Sequence, residues 1–185
     1  APELRIVGEY MVPVRFVLAV KPGSTLNSVT TVAAHAVAYA QCRGWLEQNL
    51  PQHSHVPARS NVHAAQTIIE DGVADAAIAP PGITQHARVE DVAENIGDNP
   101  DAETRFVLVQ KGGPPPARTG ADKTSIIAEL PDDGPGRLLE MLEQFATRGV
   151  NMSLLESRPI GDAMGRYRFV IDLDGHVEDE RVADA

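Results

Sequence analysis

The sequence predicts an α/β domain with a largely parallel sheet over residues 1–111, followed by a smaller α+β domain over residues 123–185. In the first part, short apolar runs alternate with helical patterns, an order typical of strands joined by crossover helices. The tract Gly112–Pro116 then combines two glycines with three prolines, which fits neither a central strand nor a helix interior. Residues 112–122 are therefore predicted to be a linker. Beyond the linker, the pattern becomes strand, helix, strand, strand, helix.

Each element of the first domain has its own signal. Apolar runs bounded by Gly and Pro predict strands at residues 15–20, 31–34, 76–79 and 104–109, and residues 4–7 are also strand-like. A helix is predicted over residues 37–50, with apolar side chains near one face: Cys42, Trp45, Leu46 and Leu50. Ser60 is a good N-cap for a second helix, which is expected to end near Gly72.

The elements of the second domain are predicted from the same kinds of signal. A strand is predicted over residues 124–130, a turn over 131–136, and strands over 150–155 and 166–173. The intervening helix is expected to end at Gly149, with one apolar face made by Leu138, Leu139, Leu142 and Phe145. In the last strand, one side carries Tyr167, Phe169, Ile171 and Leu173, and a final helix is predicted to start near Asp179. The order matches a ferredoxin-like module truncated before its last strand.

Composition excludes several classes of partner. The formal net charge of −10 argues against nucleic acid and anionic membranes, because both are bound through clustered Lys and Arg. A single cysteine allows no intrachain disulfide and favours a reducing compartment. The apolar stretches are too short for a membrane span, and no secretory segment opens the chain. A cytoplasmic protein is expected. Ala1 leads straight into a strand-like run, which is typical of a segment cut from a longer protein.

Two kinds of reactive side chain are predicted to be inert. Cys42 lies within an apolar helical stripe, where a thiol is usually a core residue. His53 and His55 lie between prolines without accompanying ligands at metal-binding spacing, so they are predicted to be surface histidines. No metal and no cofactor are predicted.

Two short tracts on either side of the linker carry the strongest functional signal: Thr104-Arg105-Phe106 and Glu156-Ser157-Arg158-Pro159. Three further matches support them: Gln41-Cys42, Ser60-Asn61 and Asp98-Asn99-Pro100. In this order the tracts resemble prephenate dehydratase, and the resemblance covers nearly the whole chain from Leu4 onward. The family's early Gly-rich Thr-Phe and Pro-Ile-Glu-Asn-Ser tracts do not occur. The resemblance therefore implies the second, periplasmic-binding-protein-like lobe of the catalytic domain, followed by most of an ACT regulatory domain.

The resemblance implies a carbon–oxygen lyase that converts prephenate to phenylpyruvate in phenylalanine biosynthesis. It assigns Thr104 as the donor that protonates the departing hydroxide, a contribution of roughly 10²–10⁴ in rate when the donor is well placed. Strand alternation puts Thr104 and Phe106 on one face and Arg105 on the other. Phe106 would then shield the substrate ring. Arg105 would bind a carboxylate or brace the opposite face.

The resemblance also implies substrate contacts and an effector site. Gln41, His35 and Asn61 correspond to substrate-binding positions, although Ala34 and Ala36 replace a serine and a proline of the family pattern. Gln41 on a solvated helix face is the simpler interpretation. Backbone amides at residues 34–36, at a strand-to-helix junction, would form an anion site in any case.

For the effector L-phenylalanine, the implied contacts come from the tracts Gly136, Leu138, Leu139 and Glu156, Ser157, Arg158, Pro159. Arg137 stands where the family has an alanine. Glu156 would bind the ammonium group or brace Arg158, and Pro159 is expected to end an edge strand. A plain strand end with a surface ion pair is the alternative. Because ACT modules usually bind ligands between subunits, a homodimer or homotetramer is implied.

Two other functions remain open at the sequence level. One is a non-catalytic amino-acid-binding module, and the weaker one is a solute-binding lobe of a transport system. If the catalytic interpretation is correct, this chain alone is expected to show little turnover, because its first lobe is absent. The choice between prephenate and its transaminated relative arogenate also stays open.

Overall fold

A computed structural model describes residues 4–130, 134–160 and 167–185. The chain divides into two compact units. We call Tyr10–Phe106 the middle unit, and Ala1–Glu9 together with Val107–Ala185 the terminal unit. Residues 112–122, predicted as a linker between domains, fall within the terminal unit. The described strands and helices are β1 (Leu4–Pro13), β2 (Val17–Val20), β3 (Thr31–Ala34), α1 (Ala36–Gln41), α2 (Arg43–Asn49), β4 (Ser54–Pro57), α3 (Asn61–Glu70), β5 (Ala76–Ala79), β6 (Glu90–Glu94), β7 (Glu103–Lys111), β8 (Lys123–Glu129), α4 (Arg137–Thr147), β9 (Met152–Pro159), β10 (Tyr167–Asp174) and α5 (Glu180–Ala183).

The sheet of the middle unit has the order β4-β3-β5-β2-β6 in the described residues. β3 pairs in parallel with β4 and β5, whereas β2 pairs antiparallel with β5 and β6. The expectation of a largely parallel sheet is therefore confirmed only in part: β4, β3, β5 and β6 run in one direction, and β2 runs antiparallel to both of its neighbours. β2 and β5 are buried along their whole length, and a continuous apolar run fits a strand of either direction.

Alternation along the buried strands builds one core on each face of this sheet. Leu18, Val32 and Ile78 face α1 and α2, where Leu46 is completely buried. Their neighbours in the strands face α3, whose buried side chains are Ala64, Ala65 and Ile68. Burial of one such leucine or isoleucine contributes about 1.5–3 kcal/mol. The helix predicted after Ser60 is confirmed, with the Ser60 hydroxyl accepting a hydrogen bond from the His63 amide.

The single helix predicted over residues 37–50 is instead two helices that meet at Cys42. Asp98 explains the break. Its carboxylate accepts the amides of Gly44 and Trp45 at 2.8 and 2.9 Å, and its own amide donates to the Gln41 carbonyl at 2.7 Å. In an uninterrupted helix, the Trp45 amide would donate to that same carbonyl. Asp98 therefore replaces helical hydrogen bonds at the junction.

β7 lies outside the five-stranded sheet, contrary to the expectation that it would complete the set. It pairs with β1 in a two-stranded sheet, and β1 extends to Pro13, well beyond the strand-like residues 4–7. Both strands contribute residues to each of the two units. β4 and β6 were not predicted. Their Pro, His and acidic residues are typical of sheet edges, which is where both strands lie.

In the terminal unit, β8, α4, β9, β10 and α5 follow the predicted order. The sheet order is β8-β10-β9, and both pairings are antiparallel. Its described core contains Phe145, Val150, Phe169, Ile171, Leu173 and Val182. The predicted apolar faces are only partly buried: Leu138, Leu139 and Tyr167 are exposed. Part of the predicted turn (131–133) and Arg166 lie outside the described residues. None of the helices in the described ranges is long and apolar enough to cross a membrane.

Candidate functional site

His35 and Asn61 meet at the carboxyl end of β3. The His35 amide donates to Asn61 Oδ1 at 3.3 Å, and His35 Nδ1 accepts from the Val37 amide at 3.3 Å, which caps α1. The Ala58 amide donates to the Ala34 carbonyl at 2.9 Å and extends the β3–β4 pairing past the strand end. Two of the implied substrate-binding residues are thus in contact where α1 and α3 begin. The carboxyl edge of parallel strands is the usual position for ligand-binding loops.

Arg59 and His63 lie beside this contact and were not singled out from the sequence. The Arg59 guanidinium donates to His63 Nε2 at 3.0 Å. Because a guanidinium only donates, His63 accepts at Nε2 and carries its proton on Nδ1. That Nδ1 is buried and has no hydrogen-bond partner among the described residues. The available signal was the position of Arg59 directly before Ser60-Asn61, which puts a cation at the start of α3.

His53 and His55 are half-buried, so the prediction that they are surface histidines is wrong. His53 Nε2 lies 2.9 Å from the Tyr39 hydroxyl, and the His55 ring stacks on the Tyr39 ring at 3.9 Å. His55 Nε2 contacts the Ala34 carbonyl at 3.1 Å. These histidines therefore brace α1 against the ends of β3 and β4. No group of three or more potential ligands that could hold a metal occurs in the described part of the chain.

Gln41 and Cys42 lie at the junction of α1 and α2. Gln41 is half-buried, and its carbonyl is held by the Asp98 amide. Cys42 is fully buried. Burial, followed by the nearby Asp98 carboxylate, raises the pKa of the Cys42 thiol to about 12. A thiol with this pKa is almost entirely protonated at neutral pH, which supports the interpretation of Cys42 as an inert core residue.

Thr104 is the second residue of β7 and is exposed. Phe106 is also exposed, at 55%, whereas Arg105 between them is half-buried. The alternation predicted for this tract is therefore seen in its exposure pattern. The start of β7 is anchored by the Val14 amide, which donates to the Ala102 carbonyl at 2.8 Å. No hydrogen bond among the described residues joins Thr104 to His35, Asn61 or Gln41.

The implied effector residues of the terminal unit lie on two elements. Gly136, with a left-handed φ of +88°, precedes α4, and Leu138 and Leu139 are exposed in the first turn of that helix. Arg137 pairs with Glu140 at 2.8 Å.

The second implied effector tract occupies the end of β9, an edge strand of its sheet in the described residues. Glu156 contacts Arg158 at 2.9 Å, so it braces the arginine in this structure. Ser157 and Pro159 lie opposite Phe169 and Tyr167 of β10 and point to the other face of the sheet from this ion pair. The tract is therefore split between the two faces, and Pro159 is the last residue of β9, as predicted.

The described elements define a class of fold: a mixed α/β sheet with helices on both faces, and a smaller antiparallel sheet packed against α4 and α5. The chain belongs to the prephenate dehydratase family, whose sequence model matches residues 1–114. The prephenate dehydratase of Mycolicibacterium vanbaalenii is 44% identical over 98% of this chain. That of Mycobacterium tuberculosis strain H37Rv is 42% identical over the same share.

Solved structures give the same result for the fold. Prephenate dehydratase from Arthrobacter aurescens, in complex with L-Phe, aligns over 100% of this chain with a TM-score of 0.92 and 48% identity. GqqA, described as a novel type of quorum-quenching acylase, aligns over 97% with a TM-score of 0.80 and 31% identity. The chain spans 58% and 56% of the two curated relatives, and 61% and 65% of the two solved chains.

Proposed function

We propose that the protein containing this chain is a prephenate dehydratase regulated by L-phenylalanine. In this proposal the chain supplies the second lobe of the catalytic domain and most of an ACT regulatory domain. Family membership supports the enzyme class. The observation that carries the catalytic role is the exposure of Thr104 in the Thr104-Arg105-Phe106 tract, on a strand whose start is anchored to Val14.

The reaction removes a carboxylate and a hydroxyl group from one ring. The bond to the departing carbon dioxide breaks, its electron pair enters the ring, and the hydroxyl leaves with the pair of its own C–O bond. Hydroxide is a poor leaving group at neutral pH, so a proton must reach it as the bond breaks. In our proposal the Thr104 hydroxyl donates this proton, water leaves, and the Thr104 oxygen takes a proton back from solvent before the next turnover. Phe106, exposed on the same face, would pack against the ring as it becomes aromatic.

The substrate is a dianion, and the net charge of the chain is −10, so attraction must come from local groups. The edge of the sheet near His35 and Asn61 offers the start of α3, where first-turn amides lack partners within the helix. Arg59 adds a full positive charge at the same point. We assign carboxylate binding to this edge, with Gln41 as a further polar contact from the end of α1.

The decisive experiment uses full-length protein with prephenate as substrate. Thr104→Ala is expected to lower kcat by about 10²–10⁴, because the proton donor is lost. Thr104→Ser keeps a hydroxyl and should retain most of the rate. Thr84→Ala serves as the matched control, because Thr84 is an exposed threonine in the short 3₁₀ helix Ile83–Gln85. An undiminished rate for Thr104→Ala would show that the assignment is wrong.

Regulation by L-phenylalanine is the second half of the proposal. The Arthrobacter aurescens relative, 48% identical, was solved with L-Phe bound. We assign the effector carboxylate to the start of α4 after Gly136 and its ring to Leu138 and Leu139. Glu156 points to the face of the sheet that α4 does not cover, so the ammonium group is assigned to Glu156 of a second subunit. In the free chain Glu156 is paired with Arg158, so binding would exchange one partner for another. Ser157 and Pro159 lie at the exposed end of β9, an edge strand beside which a second subunit of a homodimer or homotetramer would lie.

Calorimetry with L-Phe on full-length protein tests this site. Glu156→Gln should weaken binding by about 10-fold or more, the usual effect of losing one ionic hydrogen bond. Glu129→Gln is the control, since Glu129 also pairs with an arginine, Arg168, at 2.7 Å on the neighbouring β8–β10 pair. Equal affinities in wild type and Glu156→Gln would remove Glu156 from the site. L-Phe binding in a full-length protein that does not turn over prephenate would favour a non-catalytic amino-acid sensor.

A further inference from the structure

Asp98 connects two parts of the middle unit that are far apart in sequence. Its carboxylate accepts the Gly44 amide at Oδ2 and the Trp45 amide at Oδ1, across 54 and 53 residues. Its own amide donates to the Gln41 carbonyl at 2.7 Å. Three hydrogen bonds of one residue thus hold the junction where α1 ends and α2 begins.

Gly44 makes this close approach possible. A Cβ at position 44 would lie 3.0 Å from Asp98 Oδ1 and 3.3 Å from Asp98 Cγ. Such distances are shorter than ordinary van der Waals contact, so a side chain at position 44 requires the Asp98 carboxylate to shift by a few tenths of an ångström from its place between the two amides. The glycine and the carboxylate therefore form one fitted pair.

The chain that leaves Asp98 is anchored on its way to Thr104. Asn99 Oδ1 accepts the Asp101 amide at 3.0 Å, and the Asn99 carbonyl accepts the Ala102 amide at 3.3 Å. The Ala102 carbonyl then accepts the Val14 amide at 2.8 Å, immediately before β7 begins. Asp98 consequently lies at one end of a short, hydrogen-bonded connection whose other end carries Thr104.

We propose that Asp98 is a positioning residue, which fixes the Gln41 end of α1 relative to the strand that carries Thr104. This inference rests on the proposed function, because only that function gives the relative position of Gln41 and Thr104 a role in catalysis. Asp98 itself need not touch the substrate. Its effect is exerted through the backbone, by holding a proposed substrate contact and the proposed proton donor in one arrangement.

Kinetics of full-length variants with prephenate test the role. Asp98→Ala should lower kcat by about 10–100-fold with a smaller change in KM, since a misplacement of about 1 Å can cost that much. Gly44→Ala should act in the same direction without removing the charge, and alanine favours the helix, so loss of folding is not expected. Asp101→Ala, in the same exposed turn, is the control and should leave kcat unchanged.

A double-variant cycle separates positioning from a general loss of stability. If Asp98 acts by aligning Thr104, its removal should cost less than about threefold in a Thr104→Ala background, because non-additivity is expected for residues that act as a unit. The same 10–100-fold loss in both backgrounds would overturn the proposal. So would an unchanged kcat in Asp98→Ala and Gly44→Ala.

Thiol labelling of Cys42 gives a readout that is independent of turnover. Cys42 is buried at the junction that Asp98 holds, and the Asp98 carboxylate also raises its pKa, so the charge effect must be matched. Asp98→Ala should raise the labelling rate by about 10-fold more than Asp98→Asn, which removes the same charge but keeps an oxygen that can accept one of the two amides, because local opening becomes more frequent. Asp101→Ala should not raise the rate. If wild-type full-length protein shows no turnover, the proposed function fails and the positioning role fails with it, whereas the labelling result still decides whether Asp98 holds the junction. Turnover with equal labelling rates in Asp98→Ala and Asp98→Asn rejects the inference alone.

Discussion

The carboxylate of Asp75 provides the sharpest stability prediction. Asp75 directly precedes β5, and its Oδ2 accepts four hydrogen bonds: from the amides of Thr30 and Thr31, both at 2.9 Å, and from their hydroxyls at 2.8 and 2.9 Å. In return, the Asp75 amide donates to Thr31 Oγ1 at 2.9 Å. The residue therefore ties together the amino ends of β3 and β5, at the opposite end of β3 from His35.

Asp75→Ala should destabilise the middle unit by about 2–4 kcal/mol. A hydrogen bond to a charged group contributes about 1.5–3 kcal/mol, but the four bonds share one oxygen and do not add fully. Thr30 is exposed, so water can accept the hydrogen bonds that its amide and hydroxyl no longer donate to Asp75. Thr31 is half-buried and at the start of a strand, where its donors would be left partly without acceptors. The expected loss therefore corresponds to one or two hydrogen bonds to a charged group.

The same contacts make this contribution depend on pH. Partial burial acts to raise the pKa of Asp75, but the hydrogen bonds from Thr30 and Thr31 outweigh it and hold the pKa below its usual value. A carboxyl with a depressed pKa stabilises the fold above its unfolded pKa of about 3.9, and this stabilisation is lost as pH falls through the folded pKa. The free-energy difference between wild type and Asp75→Asn should therefore shrink below about pH 4.

Urea unfolding followed by Trp45 fluorescence measures both effects, because Trp45 is the only tryptophan of the chain and lies in the middle unit. Asp71→Ala is the matched control: Asp71 is exposed after α3, and its removal should change the unfolding free energy by less than about 0.5 kcal/mol. A loss below about 0.5 kcal/mol for Asp75→Ala, or a pH-independent loss for Asp75→Asn, would refute the reasoning.

Two further substitutions test the packing of each unit. Tyr39→Phe removes the hydroxyl that lies 2.9 Å from His53 Nε2 but keeps the ring, so it should cost about 1 kcal/mol in urea unfolding. Tyr10→Phe, at an exposed tyrosine, should have no measurable effect, and equal results for the two variants would contradict a structural role of the hydroxyl. Phe145→Ala empties the core of the terminal unit and should cost about 3–5 kcal/mol there. In thermal unfolding of Phe145→Ala, the melting temperature seen by circular dichroism, which follows both units, should fall further than the one seen by Trp45 fluorescence, which follows the middle unit. Equal shifts of the two melting temperatures would contradict separate cores.

Local signals predicted the elements that local forces determine. The Ser60 cap, the buried run at residues 76–79 and the helix packed through Phe145 were all recognisable from a few neighbouring residues. The break at Cys42 could not be recognised in this way. Its cause is the carboxylate of Asp98, which is 54 residues from the amide of Gly44 that it binds. A helical pattern contains no information about a hydrogen-bond acceptor supplied from so far along the chain.

The direction of β2 and the environment of His53 and His55 could not be predicted for a related reason. β2 and β5 have no polar face, so nothing in their sequences reveals that they run antiparallel. His53 and His55 looked like loop residues because Pro51 and Pro57 flank them, yet β4 brings His55 onto the Tyr39 ring. In contrast, the alternation of Thr104, Arg105 and Phe106 needed only strand geometry, and the exposure of these three residues follows it.

The backbone at the carboxyl end of β3 changes how a dianion would be held there. The sequence suggested that amides near residues 34–36 would form an anion site whatever their side chains. In the structure the His35 amide already donates to Asn61, and the Val37 amide donates to His35 Nδ1. A ligand must therefore displace these contacts or bind at the start of α3, where Arg59 contributes charge.

Arg59→Ala in the full-length protein should consequently raise KM for prephenate by about 10-fold or more, with kcat little changed, because the guanidinium would bind substrate and transition state alike. Arg43→Ala, which removes an exposed arginine paired with Glu47, should leave KM unchanged. Equal KM values for wild type and Arg59→Ala would mean that the carboxylate is bound elsewhere.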